Sequence, residues 1–135
     1  ETGNLYVTSK MVKFPVESEL MLMIMKNSPL KYKTSDDKSV TTRMNLINFA
    51  DAQMITIPGE ALPNIGYYLK RKMKGKHNFL FGLTNDAFGY ILTKVDFNSF
   101  ERYNYVSRTS LGEMTGEILI NEVLDLVSRS PAPAN

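Results

Sequence analysis

Residues 54–90, MITIPGEALPNIGYYLKRKMKGKHNFLFGLTNDAFGY, decide the fold. Met54 to Ile57 is an apolar run too short for a helix and rich in strand-favouring residues, and Pro58-Gly59 stops it. Glu60 therefore comes just past a strand end. Leu62, Ile65, Leu69 and Met73 then recur at helical spacing, and Gly75 closes that helix after a basic last turn of Lys70, Arg71, Lys72 and Lys74. Phe79, Leu80, Phe81 and Leu83 predict a second buried strand. Two apolar strands joined through a helix make a βαβ crossover, whose strands are parallel and whose connection is right-handed. Segments leaving the carboxyl ends of such strands share one sheet edge, where open α/β folds keep their sites. Glu60 and the loop from Asn85-Asp86 to Tyr90 are thus predicted to meet, although they lie far apart in sequence.

Upstream, Val40–Phe49 and Gln53–Ile57 read as strands joined by the tight Ala50-Asp51 link. So short a link forces antiparallel pairing, which makes the sheet mixed. Met44 and Leu46 are predicted on its core face, with Phe49 near the turn. Leu5 to Val12 reads as another strand, extended through Phe14 until Pro15. Glu17–Met25 (ESELMLMIM) fits both periods, but its composition and Ser18 as an N-cap favour a helix, with the methionines as flexible core filling. Asn27–Ser39 is a polar loop.

Beyond Tyr90, Ile91 and Leu92 predict a short strand. Asp96–Arg102 is polar, with Phe97 and Phe100 as anchors, and Tyr103–Val106 reads as extended. Ser110 and Glu113 have capping-box spacing before a final helix whose apolar stripe is Met114, Ile118, Leu119, Val123, Leu126 and Val127. The expectation is an α/β fold: a βαβ unit plus an antiparallel hairpin in one mixed sheet, helices packed on it. Residues 1–130 form a single domain, with 131–135 as a disordered tail.

The chain has 135 residues, a net charge of +2 and no cysteine. So mild a charge gives no reason to expect a nucleic-acid partner, disulfide and thiol chemistry are excluded, and no apolar run has the length of a transmembrane segment. The first residue is glutamate, so either a leader has been removed or the chain is a piece of a longer protein, with Glu1-Thr2-Gly3 readable as a vector remnant.

No complete catalytic set is present. His77, the single histidine, reads as a surface residue at a strand entry. Glu60 reads as a first-turn acid facing the positive helix end, or as a ligand. Asn85-Asp86 with Gly89 is ordinary turn chemistry, and Tyr90 also fits a core tyrosine whose hydroxyl reaches solvent. The basic turn at 70–76 reads as a solvated helix end in preference to a phospholipid contact.

ITIPGE at 55–60, GLTNDAFGYI at 82–91 and YNYVSRTSLG at 103–112 before a terminal helix resemble the last part of the catalytic domain of the neutral, alkaline non-lysosomal ceramidase family. The resemblance spans roughly residues 40–127 and, more faintly, 5–30, where FPVESELMLMIM at 14–25 is similar to the family's proline-bearing segment. It implies a zinc-dependent hydrolase cleaving the N-acyl amide of a lipid substrate such as ceramide. Glu60 and Tyr90 would be zinc ligands, with Asn85 as a loop-shaping neighbour of the substrate site. In the family two histidine ligands and a serine acting at the scissile amide come from earlier in the chain. This sequence would then be the C-terminal portion of a larger catalytic domain. By itself it would be inactive, hold zinc weakly or not at all, and have the missing N-terminal portion as its partner. One departure stands out: the family follows Pro-Gly-Glu with a Thr-Thr-Met-Ala/Ser-Gly-Arg-Arg type of run, and Ala61–Gly66 (ALPNIG) takes its place here. The alternative is a non-catalytic accessory, binding or structural α/β domain with Glu60 capping a helix.

Overall fold

A computed structural model describes residues 4–134. The Glu1–Gly3 segment, with its vector-remnant reading, lies outside them. Strands β1 (Leu5–Pro15), β2 (Ser39–Phe49), β3 (Ala52–Thr56) and β5 (His77–Phe81) form a four-stranded sheet in the order β1-β2-β3-β5. β1, β2 and β3 pair antiparallel, and β3 pairs β5 in parallel through helix α2 (Pro63–Lys72). The sheet is therefore mixed, with the expected βαβ unit fed by a hairpin. A second, two-stranded sheet pairs β4 (Glu60–Ala61) with β6 (Tyr90–Ile91).

Alternation along the strands sends Val12 and Phe14 of β1, Met44 and Leu46 of β2 and Ile55 of β3 to one face, all buried. Ile65 and Leu69 of α2 pack with them, as do Leu119, Val123, Leu126 and Val127 of α4 (Thr115–Arg129). Phe49 has the opposite parity to Met44 and Leu46, so it stands on the other face and is 54% exposed. Helix α1 (Glu19–Asn27) begins at Ser18, whose hydroxyl accepts from the Met21 amide at 3.3 Å, and buries Met21 and Met25.

Four sequence expectations are corrected. The strand expected to be buried over Phe79, Leu80, Phe81 and Leu83 turns Phe79 and Phe81 outward on alternate positions and ends at Phe81, with Leu83 exposed beyond it. Tyr103–Val106 is helical: a 3-10 turn at Glu101–Tyr103 runs into α3 (Asn104–Arg108). With no strand beside it, this segment satisfies its backbone locally, and the Arg102 guanidinium lies 5.2 Å from the ring centres of both Phe100 and Tyr103. Phe100 is 58% exposed and anchors nothing in the core. The capping box at Ser110 and Glu113 does not form, because a turn from Gly112 to Thr115 delays the helix and leaves Met114 at the N-cap position. The Glu113 amide donates instead to the Glu17 carboxylate at 3.1 Å, a partner from the α1 end of the chain.

At the other end of α4, Lys74 donates to the carbonyls of Ser128 (3.2 Å) and Ser130 (2.6 Å), so part of the basic turn neutralises a helix C-terminus. The next residue, Pro131, accepts a bond from Asn48 at 2.9 Å. Among the described residues no helix is long and apolar enough to cross a membrane.

One polar group on the helix-covered face ties sheet to helix. Lys10 of β1 bridges Glu122 and Asp125 of α4, and Asp125 also receives Arg129 at 2.7 Å. Bonding to Lys10 holds the Asp125 carboxyl below its ordinary 3.8, and bonding to Asp125 and Glu122 raises Lys10. A carboxyl depressed by folding contributes stability above its unfolded value and loses it as pH falls through the lower folded value. Asp125→Asn is accordingly expected to lower the urea midpoint at pH 7. The gap to the unsubstituted chain should close as both are taken below pH 3.8. An equal gap at both pH values would show that the charge is irrelevant.

Candidate functional site

The site is built where the two parallel strands release the chain. β3 leads through Ile57, Pro58 and Gly59 to Glu60, and β5 leads through the loop at 82–89 to Tyr90. The two exits are laced together: the Ile57 amide donates to the Phe81 carbonyl (2.8 Å), Leu83 to Gly59 (3.0 Å), Thr84 to Ile57 (3.1 Å) and Phe88 to Pro58 (2.8 Å). Glu60 then donates its own amide to the Gly89 carbonyl at 2.9 Å, and Leu62 to Ile91 at 3.0 Å.

These bonds make Glu60 and Tyr90 register partners in a parallel ladder, followed by Ala61 and Ile91. Register partners in neighbouring strands lie about 4.8 Å apart along the bonding direction and put their side chains on the same face. The sequence placed both residues just past strand ends, and the structure brings them together as a small sheet of their own. Glu60 is exposed and Tyr90 half-buried. The Tyr90 ring meets Tyr105 of α3 edge-on at 5.9 Å, a neighbour supplied by the helical segment whose sequence reads as extended.

Two glycines permit this approach. Gly59 precedes Glu60, and a side chain on it would overlap the Gly89 carbonyl oxygen. Gly89 precedes Tyr90 at φ +78°, and a side chain there would run into the Thr109 carbonyl, which accepts from the Tyr90 amide at 3.1 Å. The visible signal was the placement of a glycine before each candidate residue. The Thr109 contribution had none.

Asn85 adopts the left-handed conformation at φ +71° and donates its side-chain amide to the Arg43 carbonyl at 2.6 Å. Asp86 accepts from the Thr42 hydroxyl. Both residues thus pin the loop to β2. His77 lies at the opposite end of β5, exposed, with its Nε2 3.8 Å from Asp51.

A cleft of roughly 470 Å³ opens beside Glu60 between α2 and the exit of β5, bounded by Ile57, Leu62, Tyr67, Lys70, Leu80 and Leu83. Its mixture of apolar wall, one carboxylate and one ammonium suits an amphipathic ligand. As a metal centre the pair is half a set. A carboxylate and a phenol oxygen fit two positions of a tetrahedral zinc shell, which ordinarily also takes nitrogen or sulfur donors. Among the described residues no group of three or more histidine, cysteine, aspartate or glutamate side chains converges.

No protein-family model matches the sequence, and neither does any curated protein. Solved structures do share the fold. Neutral ceramidase from Pseudomonas aeruginosa superposes with a TM-score of 0.59 at 13% identity, over 98% of this chain and 30% of that one. A structure of ceramidase complexed with C2 superposes with a TM-score of 0.53 at 14% identity, over 90% of this chain and 21% of that one. The chain therefore has the fold of one part of those proteins and spans less than a third of their length.

Proposed function

We propose that this chain is the ceramidase-like C-terminal portion of a zinc-dependent amidohydrolase acting on an N-acyl amide of a lipid. Glu60 and Tyr90 would be two of its zinc ligands, and Asn85 would shape the neighbouring loop. The observation that carries the proposal is the register pairing of Glu60 with Tyr90, the two residues that the motif resemblance singles out, in a fold shared with ceramidase structures. The remaining ligands and the nucleophile would come from an N-terminal portion of the same protein. A bound zinc would supply Lewis acidity toward the amide carbonyl. This chain's contribution is positional: two oxygen donors on one face, held by a glycine-lined ladder, beside a cleft able to take an apolar substituent.

The test compares the 135-residue chain with the complete gene product on a panel of acyl amides that includes ceramide, with and without zinc. Zinc-dependent turnover is expected from the complete product alone, and calorimetry should show no tight stoichiometric zinc binding by the short chain. Turnover by the short chain, lost on substitution of its own residues, would overturn the incomplete-site reading. An inert complete product would favour the accessory-domain alternative.

A further inference from the structure

Helices cover one face of the four-stranded sheet. The opposite face has no cover among the described residues, and it is apolar across its whole width at one end. The strand register places Val7, Ile47, Met54 and Phe79 in a single row spanning all four strands. Beside it runs Leu5, Phe49, Ala52 and His77, and on the other side Phe81 stands next to Thr56. Val7 is 57% exposed, Phe79 44% and Phe81 45%, and the last two rings stack at 6.4 Å. A sheet with one wet face normally alternates apolar-in and polar-out. Here that rule holds toward the far end at Ser9, Lys13, Thr41 and Arg43, with Met11 as an exposed exception, and it fails in the rows just named, whose polar members are His77 and Thr56. Scattered exposed apolar residues are unremarkable, whereas a contiguous patch rimmed by polar residues marks an interface.

We infer that this face is the docking surface for the N-terminal portion of the same protein, which would set an apolar layer of its own against the Val7–Phe79 row. The inference rests on the proposed function and deepens it by naming where the missing portion sits. Its occupant is argued from length and from continuity. The shared fold accounts for 30% of the ceramidase chain, so in that protein most of the polypeptide lies outside it. The apolar face also runs directly into the site. Phe81 is followed by Gly82, which lines the cleft with Glu60, and Asn85 of the same loop bonds to β2 at Arg43. A layer seated on the face, about 10 Å from the sheet, would abut the loop that carries Tyr90 and could present further donors there.

The chain contains no cysteine, which makes thiols introduced on this face clean probes. Val7→Cys and Phe79→Cys are made separately, each checked by circular dichroism. Labelling by a maleimide is then followed at the introduced residue by mass spectrometry, in the 135-residue chain and in the complete gene product. The expected result is rapid labelling in the short chain and at least tenfold slower labelling in the complete product. Equal rates in both would overturn the inference. So would slow labelling of the short chain that speeds up on dilution, since the occupant would then be a second copy, and so would a gene encoding nothing upstream. Zinc-dependent turnover measured on the same complete product separates the two ideas. Reactive thiols in an active enzyme sink the docking face alone, and protected thiols in an inert one sink the catalytic reading alone.

Discussion

With Glu60 in the proposed role of zinc ligand, Glu60→Gln in the complete protein is expected to reduce zinc-dependent amide turnover by more than about 100-fold, because loss of mere outer-shell partners of a metal already costs about 10- to 100-fold. The fold should survive. It is the backbone of Glu60, through its 2.9 Å bond to the Gly89 carbonyl, that builds the ladder, and the carboxylate is exposed. Glutamine has nearly the same shape, keeps that bond and removes only the anionic donor. The measurement is kcat/KM with zinc content and thermal midpoint determined on the same samples. Unchanged turnover at unchanged zinc content would remove Glu60 from the ligand set. Lost turnover with a collapsed midpoint would mean that the residue is structural.

Gly89→Ala should destabilise the chain by more than about 2 kcal/mol, the scale of left-handed strain in a residue with a side chain plus an unrelieved backbone overlap. At φ +78° the added methyl meets the Thr109 carbonyl oxygen, a backbone atom held by its bond to the Tyr90 amide, and the Met21 methyl at 3.2 Å. Gly66→Ala is the matched control. Gly66 lies in α2, and a methyl added there would touch Leu80 alone, at a comfortable 3.8 Å, so that change should be neutral or stabilising by up to about 1 kcal/mol. Urea unfolding of the two variants decides the matter, and a wild-type midpoint for Gly89→Ala would show that the loop can relax.

The parts of the fold legible in the sequence are those governed by local pattern. Short apolar runs broken by Pro58-Gly59, the helical spacing of Leu62 to Met73 and the two-residue link at Ala50-Asp51 dictate parallel and antiparallel neighbours with little freedom left. Legibility fails where a distant partner intervenes. The aromatic residues at 103–106 favour strands only when a strand is there to receive them, and with none beside it the segment closed on its own backbone as α3. Ser110 and Glu113 have the spacing of a capping box, yet the Glu113 amide is taken by Glu17, whose arrival nothing local announces. The site divides in the same way. Glu60 and Tyr90 were placed by topology, while the Thr109 carbonyl and the Asn85 bond to Arg43 are long-range contacts without a sequence signal.

The β4–β6 ladder has only two register pairs. So short a ladder has almost no cooperativity of its own and exists only while the β3–β5 exits, α2 and the Thr109 carbonyl hold its two ends. The ladder can open without the sheet unfolding, so the Glu60 and Leu62 amides are expected to exchange faster than those between β1 and β2, which report global unfolding. Any ion gripped by both side chains would have to close that opening first, and its grip would in turn slow exchange at just these amides. The corner is therefore a place where occupancy can be read from the chain's own breathing, residue by residue, without observing the ion at all.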